Sequence, residues 1–415
     1  MPSFSTPLSG LNASSQEMTL ISNNLANLNT PGFKASTSEF ATLFSRSLGS
    51  AGDGDPMQVG TGTAIGSVTM DMTDGAVKST GIPSNCAIQG SGMFVVSSNG
   101  QQAFTRAGDF DVADNGFLVS PDGSLVQGYP ATNGAVNPNG PLGDLQVGDG
   151  VSSPAKATQN ISLGLNLNSQ TTAGGTFSQP IQVYDSLGGS HTVTASFTKT
   201  GTNAWSYSVT LPGADTGSGT PTTMATGTLS FDSSGNLLGG TGTPPQTTIN
   251  LASAAMADGA AGFNFNWNLF DAKGNPLITQ VATPSAPLSS SQDGVASGSL
   301  INFSIGANGL ITGTFSNGQS QTLGQVAIAN FANPQGLKAI GGNNFDSTNA
   351  SGLATVGIPG TGSRGSLQGG SIEQSNVDIA SEFAELIQAQ QSYEASAKAV
   401  TTFDRVTQVT ITMGQ

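Results

Sequence analysis

Charged side chains are scarce in this 415-residue chain: Asp, Glu, Lys and Arg make up 9% of it, against about 25% in ordinary soluble domains. The eleven basic residues form no patch and the net charge is −14, which argues against a nucleic-acid surface and against an anionic membrane as a partner. Cys86 is the only cysteine, so no intramolecular disulfide framework exists. Within the run Cys86-Ala87-Ile88 we expect a small buried side chain rather than a reactive thiol.

Long hydrophobic runs are missing as well. No stretch approaches 18 apolar residues, so the sequence predicts no membrane insertion. The first residues, MPSFSTPLSGLNASSQ, lack a basic region followed by an apolar core, and we expect no cleaved Sec signal peptide. Such a chain is either cytoplasmic or exported by another route.

Little in the sequence points to catalysis. His191 is the only histidine, so any His-dependent triad would need it, and its Ser-His-Thr-Val-Thr setting favours an ordinary strand residue. Residues 360–365 match G-x-G-x-x-G, but no helix opens within that loop. Residues 109–114 resemble the start of an EF-hand, yet alanine stands at the fifth position and glycine is missing at the sixth. The sequence predicts no catalytic residue, no cofactor and no metal.

What the chain has in abundance is glycine, 57 residues of it, together with Ser, Thr and Asn. Between about residues 60 and 350, short alternating runs such as Phe94-Val95-Val96 predict β-strands. Tight-turn dipeptides separate these runs and predict hairpins. The dipeptides include Asn99-Gly100, Asn115-Gly116, Asp122-Gly123, Asn308-Gly309 and Asn317-Gly318.

Helical periodicity is confined to the two ends of the chain. Near the N-terminus, apolar residues at spacings of three and four predict an amphipathic helix. Thr6 suits its N-cap, Pro7 its first position, and a type II turn at Pro31-Gly32 ends it. The stripe residues are Leu8, Leu11, Met18, Ile21, Leu25 and Leu28.

A longer helix is predicted near the C-terminus, from Asn376 to about Thr412, or roughly 55 Å at 1.5 Å per residue. Residues 375–378 fit a capping box, and a heptad-like apolar rhythm follows. An apolar stripe of that length needs a partner. Its residues are Ile379, Phe383, Leu386, Tyr393, Ala397, Val400 and Phe403.

Two segments at opposite ends of the chain resemble the signatures of the bacterial flagellar rod and hook family. Residues 22–34, SNNLANLNTPGFK, are similar to its N-terminal signature, and residues 372–380, IEQSNVDIA, to its C-terminal one. Residues 87–94 and 104–110 resemble its inner β domain. The signature residues are Asn24, Ala26, Asn27, Asn29, Thr30, Gly32, Phe33, Lys34, Glu373, Ser375, Asn376, Val377 and Asp378.

The resemblance and the shifts in composition together imply a mainly β chain with α-helical termini. In that architecture an inner β domain is interrupted by an outer one, and a paired N- and C-terminal coiled coil carries both. Residues 183–191 resemble the outer domain of the hook members, which the shorter rod members lack. The implied domains are 1–32 with 371–415 (helical core), 33–70 with 352–370 (connecting segments), 71–149 with 289–351 (inner β) and 150–288 (outer β).

By resemblance, the chain is expected to be a structural subunit that assembles with itself into a curved, flexible hollow tube. Such a tube transmits motor torque and conducts exported subunits. The implied partners are the distal rod, hook cap and hook–filament junction proteins and the flagellar type III export apparatus, which would place the chain outside the cell. The alternatives are the distal rod protein of the family, an extracellular adhesin or phage-tail component, and a secreted hydrolase.

Overall fold

The computed structural model of the chain describes residues 5–50, 56–98, 100–240 and 248–413. It is mainly β-structure with one long helix near each end, which confirms the predicted fold class at that level. Within the described ranges, no helix has both the length and the apolar character that crossing a membrane requires.

The elements run as follows along the chain. The helices are α1 (Ser5–Ala26), α2 (Gly213–Thr216), a 3₁₀ turn (Pro334–Gly336) and α3 (Ile379–Met413). The strands are β1 (Ser36–Thr42), β2 (Ser45–Ser50), β3 (Pro56–Gly60), β4 (Thr63–Met70), β5 (Val77–Ser79), β6 (Cys86–Gln89), β7 (Met93–Ser98), β8 (Gln101–Thr105), β9 (Asp111–Val112), β10 (Leu118–Val119), β11 (Leu125–Thr132), β12 (Ala135–Val136), β13 (Gly143–Asp144), β14 (Ser152–Ser153), β15 (Asn160–Asn168), β16 (Thr176–Tyr184), β17 (Ser190–Gly201), β18 (Ala204–Leu211), β19 (Thr222–Phe231), β20 (Leu237–Gly240), β21 (Thr248–Ala254), β22 (Phe263–Asn268), β23 (Ile278–Val281), β24 (Ala286–Gln292), β25 (Gly298–Ile305), β26 (Leu310–Phe315), β27 (Ser320–Val326), β28 (Ile328–Asn330), β29 (Lys338–Gly341), β30 (Asn344–Asp346), β31 (Thr355–Gly357), β32 (Ser366–Gly369) and β33 (Ser371–Glu373).

The described residues form two compact units. Unit 1 contains the chain up to Val151, residues 302–313, and the chain from Ser320 onward; unit 2 contains Ser152–Ile301 and Thr314–Gln319. Both long helices therefore belong to unit 1.

Unit 1 is built on an antiparallel sheet in which β27, β11, β7, β8, β30 and β29 are successive neighbours. Its core includes the rings of Phe94 and Phe110, which meet edge to face with centroids 4.9 Å apart. Cys86 in β6 is fully buried in the same core. Burial raises the pKa of its thiol to about 12, so the thiol stays protonated and unreactive at neutral pH. The prediction of a buried cysteine is confirmed.

Unit 2 is a sandwich of two five-stranded sheets around one core. In β18 every second residue points inward, beginning with Trp205 and Tyr207, as expected of a strand with one solvated face. Trp267 in the opposite sheet meets the Tyr207 ring edge to face at 5.5 Å. Trp205 and Trp267 are the only two tryptophans of the chain, so tryptophan fluorescence reports unit 2 alone.

Four of the five predicted hairpin turns are confirmed within the described residues. Asn115-Gly116 joins β9 to β10 and Asp122-Gly123 joins β10 to β11. Asn308-Gly309 joins the neighbouring strands β25 and β26, and Asn317-Gly318 joins β26 to its neighbour β27. Each glycine has φ near +80°, a conformation that a residue with a Cβ rarely adopts. Asn99, of the predicted Asn99-Gly100 turn, lies outside the described residues.

Residues 36–70, expected from the sequence to be a connecting segment, contain a β-ribbon. In it β1 pairs with β4 and β2 with β3, both antiparallel. The ribbon is tied to α1 at two points: the Ser36 N–H donates to Asn24 Oδ1 (3.0 Å) and the Thr63 N–H donates to Ser9 Oγ (3.2 Å). Residues 51–55 of this segment lie outside the described residues.

The predicted start of the C-terminal helix is wrong by three residues, because α3 begins at Ile379 and not at Asn376. The backbone N–H groups of Ala380 and Ser381 donate to Asp378 Oδ1 at 2.8 and 3.1 Å, so Asp378 is the N-cap. Asn376 is engaged elsewhere, since its Oδ1 accepts from the Ala35 N–H (2.8 Å). The capping box therefore does not form.

At the N-terminal end, α1 already includes Ser5, so Thr6 lies inside the helix and is not its N-cap. α1 already ends at Ala26, so Leu28 of the predicted stripe lies beyond the helix. The predicted turn at Pro31-Gly32 follows. There the Phe33 N–H donates to the Thr30 carbonyl (3.3 Å) and Gly32 has φ +66°, as a type II turn requires.

Candidate functional site

The two long helices lie side by side in unit 1 and run antiparallel. Asn24 Nδ2 donates to Glu382 Oε1 (2.9 Å). At the other end Gly10 faces Ser396, and a Cβ added to Gly10 would lie 3.1 Å from Ser396 Oγ. Residues 10 and 24 are 14 apart, as are residues 396 and 382, so the pairing keeps one register over two heptads.

The contact face of α1 is smaller and more polar than the predicted leucine stripe. Its most buried residues are Ala13, Ser14, Ile21 and Asn24. Of the predicted stripe, Ile21 is buried at 2% exposure and Leu8 is half exposed at 50%. The remaining stripe residues are partly buried; they are Leu11, Met18, Leu25 and Leu28.

The residues of α3 that face α1, here called its inward series, differ from the predicted stripe at every second position. At those positions the inward residue lies one place earlier in the sequence. Glu382 and Ala389 are buried there, whereas the predicted Ile379 and Phe383 are 47% and 51% exposed. The other predicted residues are partly buried; they are Leu386, Tyr393, Ala397, Val400 and Phe403.

The far end of α3 extends beyond α1. In the register set by Gly10–Ser396, Ser5 is level with about residue 401 of α3. The twelve residues from Thr402 to Met413 therefore face no turn of α1 within the described part of the chain, over about 18 Å of helix. Several of their apolar side chains are exposed; these are Val406, Val409, Ile411 and Met413.

Two cationic residues and one anionic residue are buried together where the two ends of the chain join the β-structure. Lys34 follows α1, Glu373 ends β33 just before α3, and Arg106 follows β8; they are 3%, 1% and 3% exposed. Lys34 Nζ lies 2.7 Å from Glu373 Oε1, and Arg106 Nε lies 2.6 Å from Glu373 Oε2. One carboxylate thus binds two cations, and we call these residues the junction triad.

Backbone groups and Asp74 complete the hydrogen bonding of the triad. Arg106 Nη1 donates to the Gly92 carbonyl (2.6 Å), and Nη2 donates to Asp74 Oδ1 (2.7 Å). The Gly75 N–H donates to Glu373 Oε1 (2.8 Å), and Lys34 Nζ donates to the Thr73 carbonyl. Buried charges are tolerated only when their donors and acceptors are satisfied in this way.

Within the triad, Lys34 has a lowered pKa. Burial lowers the pKa of its ammonium below the ordinary value, although the Glu373 carboxylate acts to raise it, and Arg106 lowers it further. The contact with Glu373 is therefore the main factor that favours the charged form of Lys34 in this buried position.

The remaining signature residues surround this junction or the turn beside it. Gly32 donates its N–H to the Glu373 carbonyl (2.8 Å), and a Cβ there would lie 2.5 Å from the Arg106 backbone. Asn376 Nδ2 donates to the Asp71 carbonyl (2.9 Å). Thr30 Oγ1 donates to Asn27 Oδ1 (3.1 Å). Val377 is buried, Phe33 and Ser375 are partly buried, and Ala26, Asn29 and Asp378 are exposed.

Sequence reasoning missed Arg106, Asp74 and Glu382 as members of this site. Arg106 lies within residues 104–110, which resemble the inner β domain of the family, but nothing in the local sequence indicates that its guanidinium is buried. No signal marked Glu382, because the predicted stripe placed Phe383 inward and left Glu382 beside it.

Unit 2 holds a separate cluster of titratable groups around His191. The imidazole Nε2 lies 2.8 Å from Asp185 Oδ2 and Nδ1 lies 3.1 Å from Asp215 Oδ2. Among the described residues, ligand-type atoms of Asp185, His191 and Asp258 come within 4.8 Å of one another. Because both ring nitrogens already contact carboxylates, the cluster is explained as ion pairs.

The protonation of His191 is coupled to these neighbours. Although partial burial lowers it, hydrogen bonds to Asp185 and Asp215 raise the pKa of His191 above its ordinary value. Although burial raises it, hydrogen bonds from His191 and from the Gly189 and Leu187 backbone hold the pKa of Asp185 below its usual range. At mildly acidic pH the imidazolium is therefore held between two carboxylates.

We expect His191→Gln to lower the thermal stability of unit 2 most at mildly acidic pH. The raised pKa means that the ion pairs stabilise the fold fully below the unfolded value of about 6.5, and that this contribution is lost as pH rises through the folded value. Tryptophan fluorescence melts of both proteins between pH 5.5 and pH 9 measure the effect. A difference in Tm that stays constant over this range would contradict the assignment.

Comparison with known proteins matches both ends and the interior of the chain to flagellar families. Four family models match: "Flagella basal body rod protein" over residues 4–34, "Flagellar hook protein FlgE/F/G D1 domain" over 87–166, "Flagellar basal body protein FlaE D2 domain" over 152–295 and "Flagellar basal body rod FlgEFG protein C-terminal" over 368–413. The crystal structure of Helicobacter pylori flagellar hook protein FlgE2 is 15% identical, with a TM-score of 0.47, covering 70% of this chain and 99% of that one. At that score the similarity supports no inference.

Full-length relatives settle the family. Flagellar hook protein FlgE of Salmonella typhimurium is 33% identical, covering 97% of this chain and 98% of that protein. FlgE of Treponema pallidum is 34% identical over 97% of each, and FlgE of Escherichia coli is 32% identical over 97% and 98%. With the two end signatures joined at one buried triad, the chain belongs to the flagellar hook protein FlgE family.

Proposed function

We propose that the chain is a structural subunit of a bacterial flagellar hook and that it polymerises through its paired terminal helices into a hollow tube. The observation that carries the proposal is the apolar surface that α1 leaves exposed on α3. Exposed apolar patches of this kind mark interaction sites. The residues are Ile379, Phe383 and Ile387 at one end and Val406, Val409, Ile411 and Met413 at the other.

We also propose the domain organisation that was expected from the sequence. Helices in the ranges 1–32 and 371–415 would pair as a coiled coil in the tube wall, and the outer β domain, 150–288, would interrupt the inner one. The heptad register of α1 on α3 supports the first point, and the matching D2 model over 152–295 supports the second.

The junction triad gives this tube a mechanical anchor. Torque carried by the helical wall has to pass to the β-structure through the two chain segments that contain Lys34 and Glu373. The buried Glu373 carboxylate binds a cation on each side and so holds these segments together without a covalent link. Surfaces rich in Ser, Thr and Asn, with 9% charged residues, suit contacts that exchange as the tube bends, because each is weak.

Family membership supports the partners of this subunit. They are further copies of the chain, the distal rod protein, the hook cap protein and the hook–filament junction protein, with export through the flagellar type III apparatus to the outside of the cell. The proposal assigns the chain no catalytic step. It disfavours the distal rod protein itself, because the relatives above are hook proteins over nearly their full length.

Removing α3 tests the proposal. A variant that ends at Asp378 should form no sedimenting polymer at a concentration at which the intact chain does, because the exposed apolar ends of α3 are gone. Its fluorescence-detected melting of unit 2 should not change, which controls for misfolding. Polymer in the normal amount from this variant would show that the helices are not the assembly element.

A further inference from the structure

Three carboxylates lie in the half of the helix pair nearest the junction triad, and Glu385 acts electrostatically on the other two. Glu17 lies on α1, and Glu382 and Glu385 lie on α3. Glu382 is 8% exposed; its Oε1 accepts from Asn24, and its Oε2 has no hydrogen-bond partner among the described residues. We call these three residues the acidic corner.

Among the described residues, no cation forms an ion pair with the acidic corner. Ser5–Ala26 contains no Lys or Arg at all, and within the described residues no ion pair involves any of the three carboxylates. Burial and then the charge of Glu385 raise the pKa of Glu17. Burial also raises the pKa of Glu382, although its hydrogen bond from Asn24 acts to lower it, and the charge of Glu385 raises it further. Negative charge is therefore uncompensated here, and a cation brought to the corner would be bound favourably.

Two cationic side chains of α3 also lack an ion-pair partner among the described residues. Lys398 and Arg405 are exposed and seven residues apart, so they share one face of the helix. Within the described residues neither takes part in an ion pair. They are 13 and 20 residues beyond Glu385, or about 20 and 30 Å along the axis, and so cannot reach the corner of their own chain.

The two charged patches also face in different directions. At about 100° per residue, counting from the α1-facing series of α3 places Lys398 and Arg405 on the side turned away from α1. The acidic corner lies beside α1. Two complementary patches at opposite ends and on opposite sides of the helix pair can meet only between copies. Such a head-to-tail contact is heterologous, and it gives a helical polymer when the rotation from copy to copy does not close a ring.

We propose that the acidic corner of one copy binds the Lys398 and Arg405 face of a neighbouring copy's α3. The occupant is a second copy of this chain, and the inference deepens the proposed function by naming a contact of the tube. Glu394 lies one turn before Lys398 and competes for it. Asp404 next to Arg405 accepts the Gln408 amide (3.0 Å) and competes less, so Arg405 is the stronger partner.

Charge reversal on both sides tests this contact. Glu385→Lys and Arg405→Glu should each raise the concentration needed for polymer about ten-fold, because attraction becomes repulsion. The double variant should return to within about two-fold of the intact chain. Glu385→Lys combined with Lys338→Glu, a reversal of an exposed cation in β29, is the matched control and should show no recovery.

The outcomes separate this inference from the proposed function. Recovery in the Glu385/Arg405 double variant alone, with single-variant defects that shrink at high salt, supports the contact. Recovery only with Lys398→Glu in place of Arg405→Glu also supports it and selects the other cation. A polymerising intact chain with no recovery in either pair overturns this contact and leaves the proposed function standing. An intact chain that never polymerises overturns the proposed function itself.

Discussion

Glu373→Gln is expected to destabilise unit 1 by about 3–5 kcal/mol, because it leaves Lys34 and Arg106 buried without their shared counter-ion. For a unit of this size that corresponds to a fall in Tm of about 10 °C. Circular dichroism should show the shift in the transition of unit 1. The fluorescence-detected transition of unit 2 should stay where it is, since both tryptophans lie outside unit 1.

Asp74→Asn is the matched control for this experiment. Its side chain is 46% exposed, and Arg106 keeps Glu373 and two backbone carbonyls, so the loss should stay below about 1 kcal/mol. Adding Lys34→Met to Glu373→Gln should recover part of the lost stability, since one unpaired cation is removed. A shift in Tm for Glu373→Gln no larger than for Asp74→Asn would mean that the triad is not the anchor.

Leu386→Asp is expected to abolish polymer formation while leaving both thermal transitions of the β-structure in place. Leu386 is a partly buried member of the inward series of α3. An aspartate there would place an unpaired carboxylate in the helix contact at a cost of several kcal/mol, because no partner offsets its desolvation. The defect recurs in every copy of a tube. Sedimentation of purified protein measures the loss.

Gln391→Asp provides the comparison on the same helix. Gln391 is exposed and lies on the side of α3 away from α1, so its substitution adds the same charge without entering the pair. We expect polymer from this variant. Normal tubes from Leu386→Asp would show that the α1–α3 contact is dispensable for assembly.

The two long helices show which structural features a hydrophobic pattern predicts and which it does not. Their existence and the turn at Pro31-Gly32 followed from periodicity and turn chemistry, although α1 ends at Ala26, before that turn. The facing residues did not, because a stripe of leucines was chosen by size. The structure brings Gly10 opposite Ser396 and buries Ala13, Ser14 and Ala389. Close approach of two helices selects small residues, and in a single sequence these stand out less than leucines.

The start of α3 was misplaced for a related reason. Ser375 and Asp378 both have side chains that cap helices, and local sequence does not rank them. The choice was made by contacts distant in sequence, because Asn376 is hydrogen-bonded to Ala35 and Asp71. Those bonds hold residues 375–377 outside the helix.

The junction triad could be predicted only in part. Lys34 and Glu373 were named as signature residues, but their ion pair joins positions 339 residues apart. An isolated charge carries no periodic signal, and burial of Arg106 depends on how β8 turns back toward the chain ends. The family resemblance identified Lys34 and Glu373, and only the three-dimensional structure shows that Arg106 is the third member of the triad.

Electron microscopy of the purified intact chain, concentrated until it polymerises, tests the central claim most directly. The account predicts hollow, curved tubes whose inner wall consists of helices, with α1 and α3 of each copy in antiparallel contact at the Asn24–Glu382 register. Closed oligomers of fixed size, or tubes whose inner wall contains β-structure and not these helices, would contradict it.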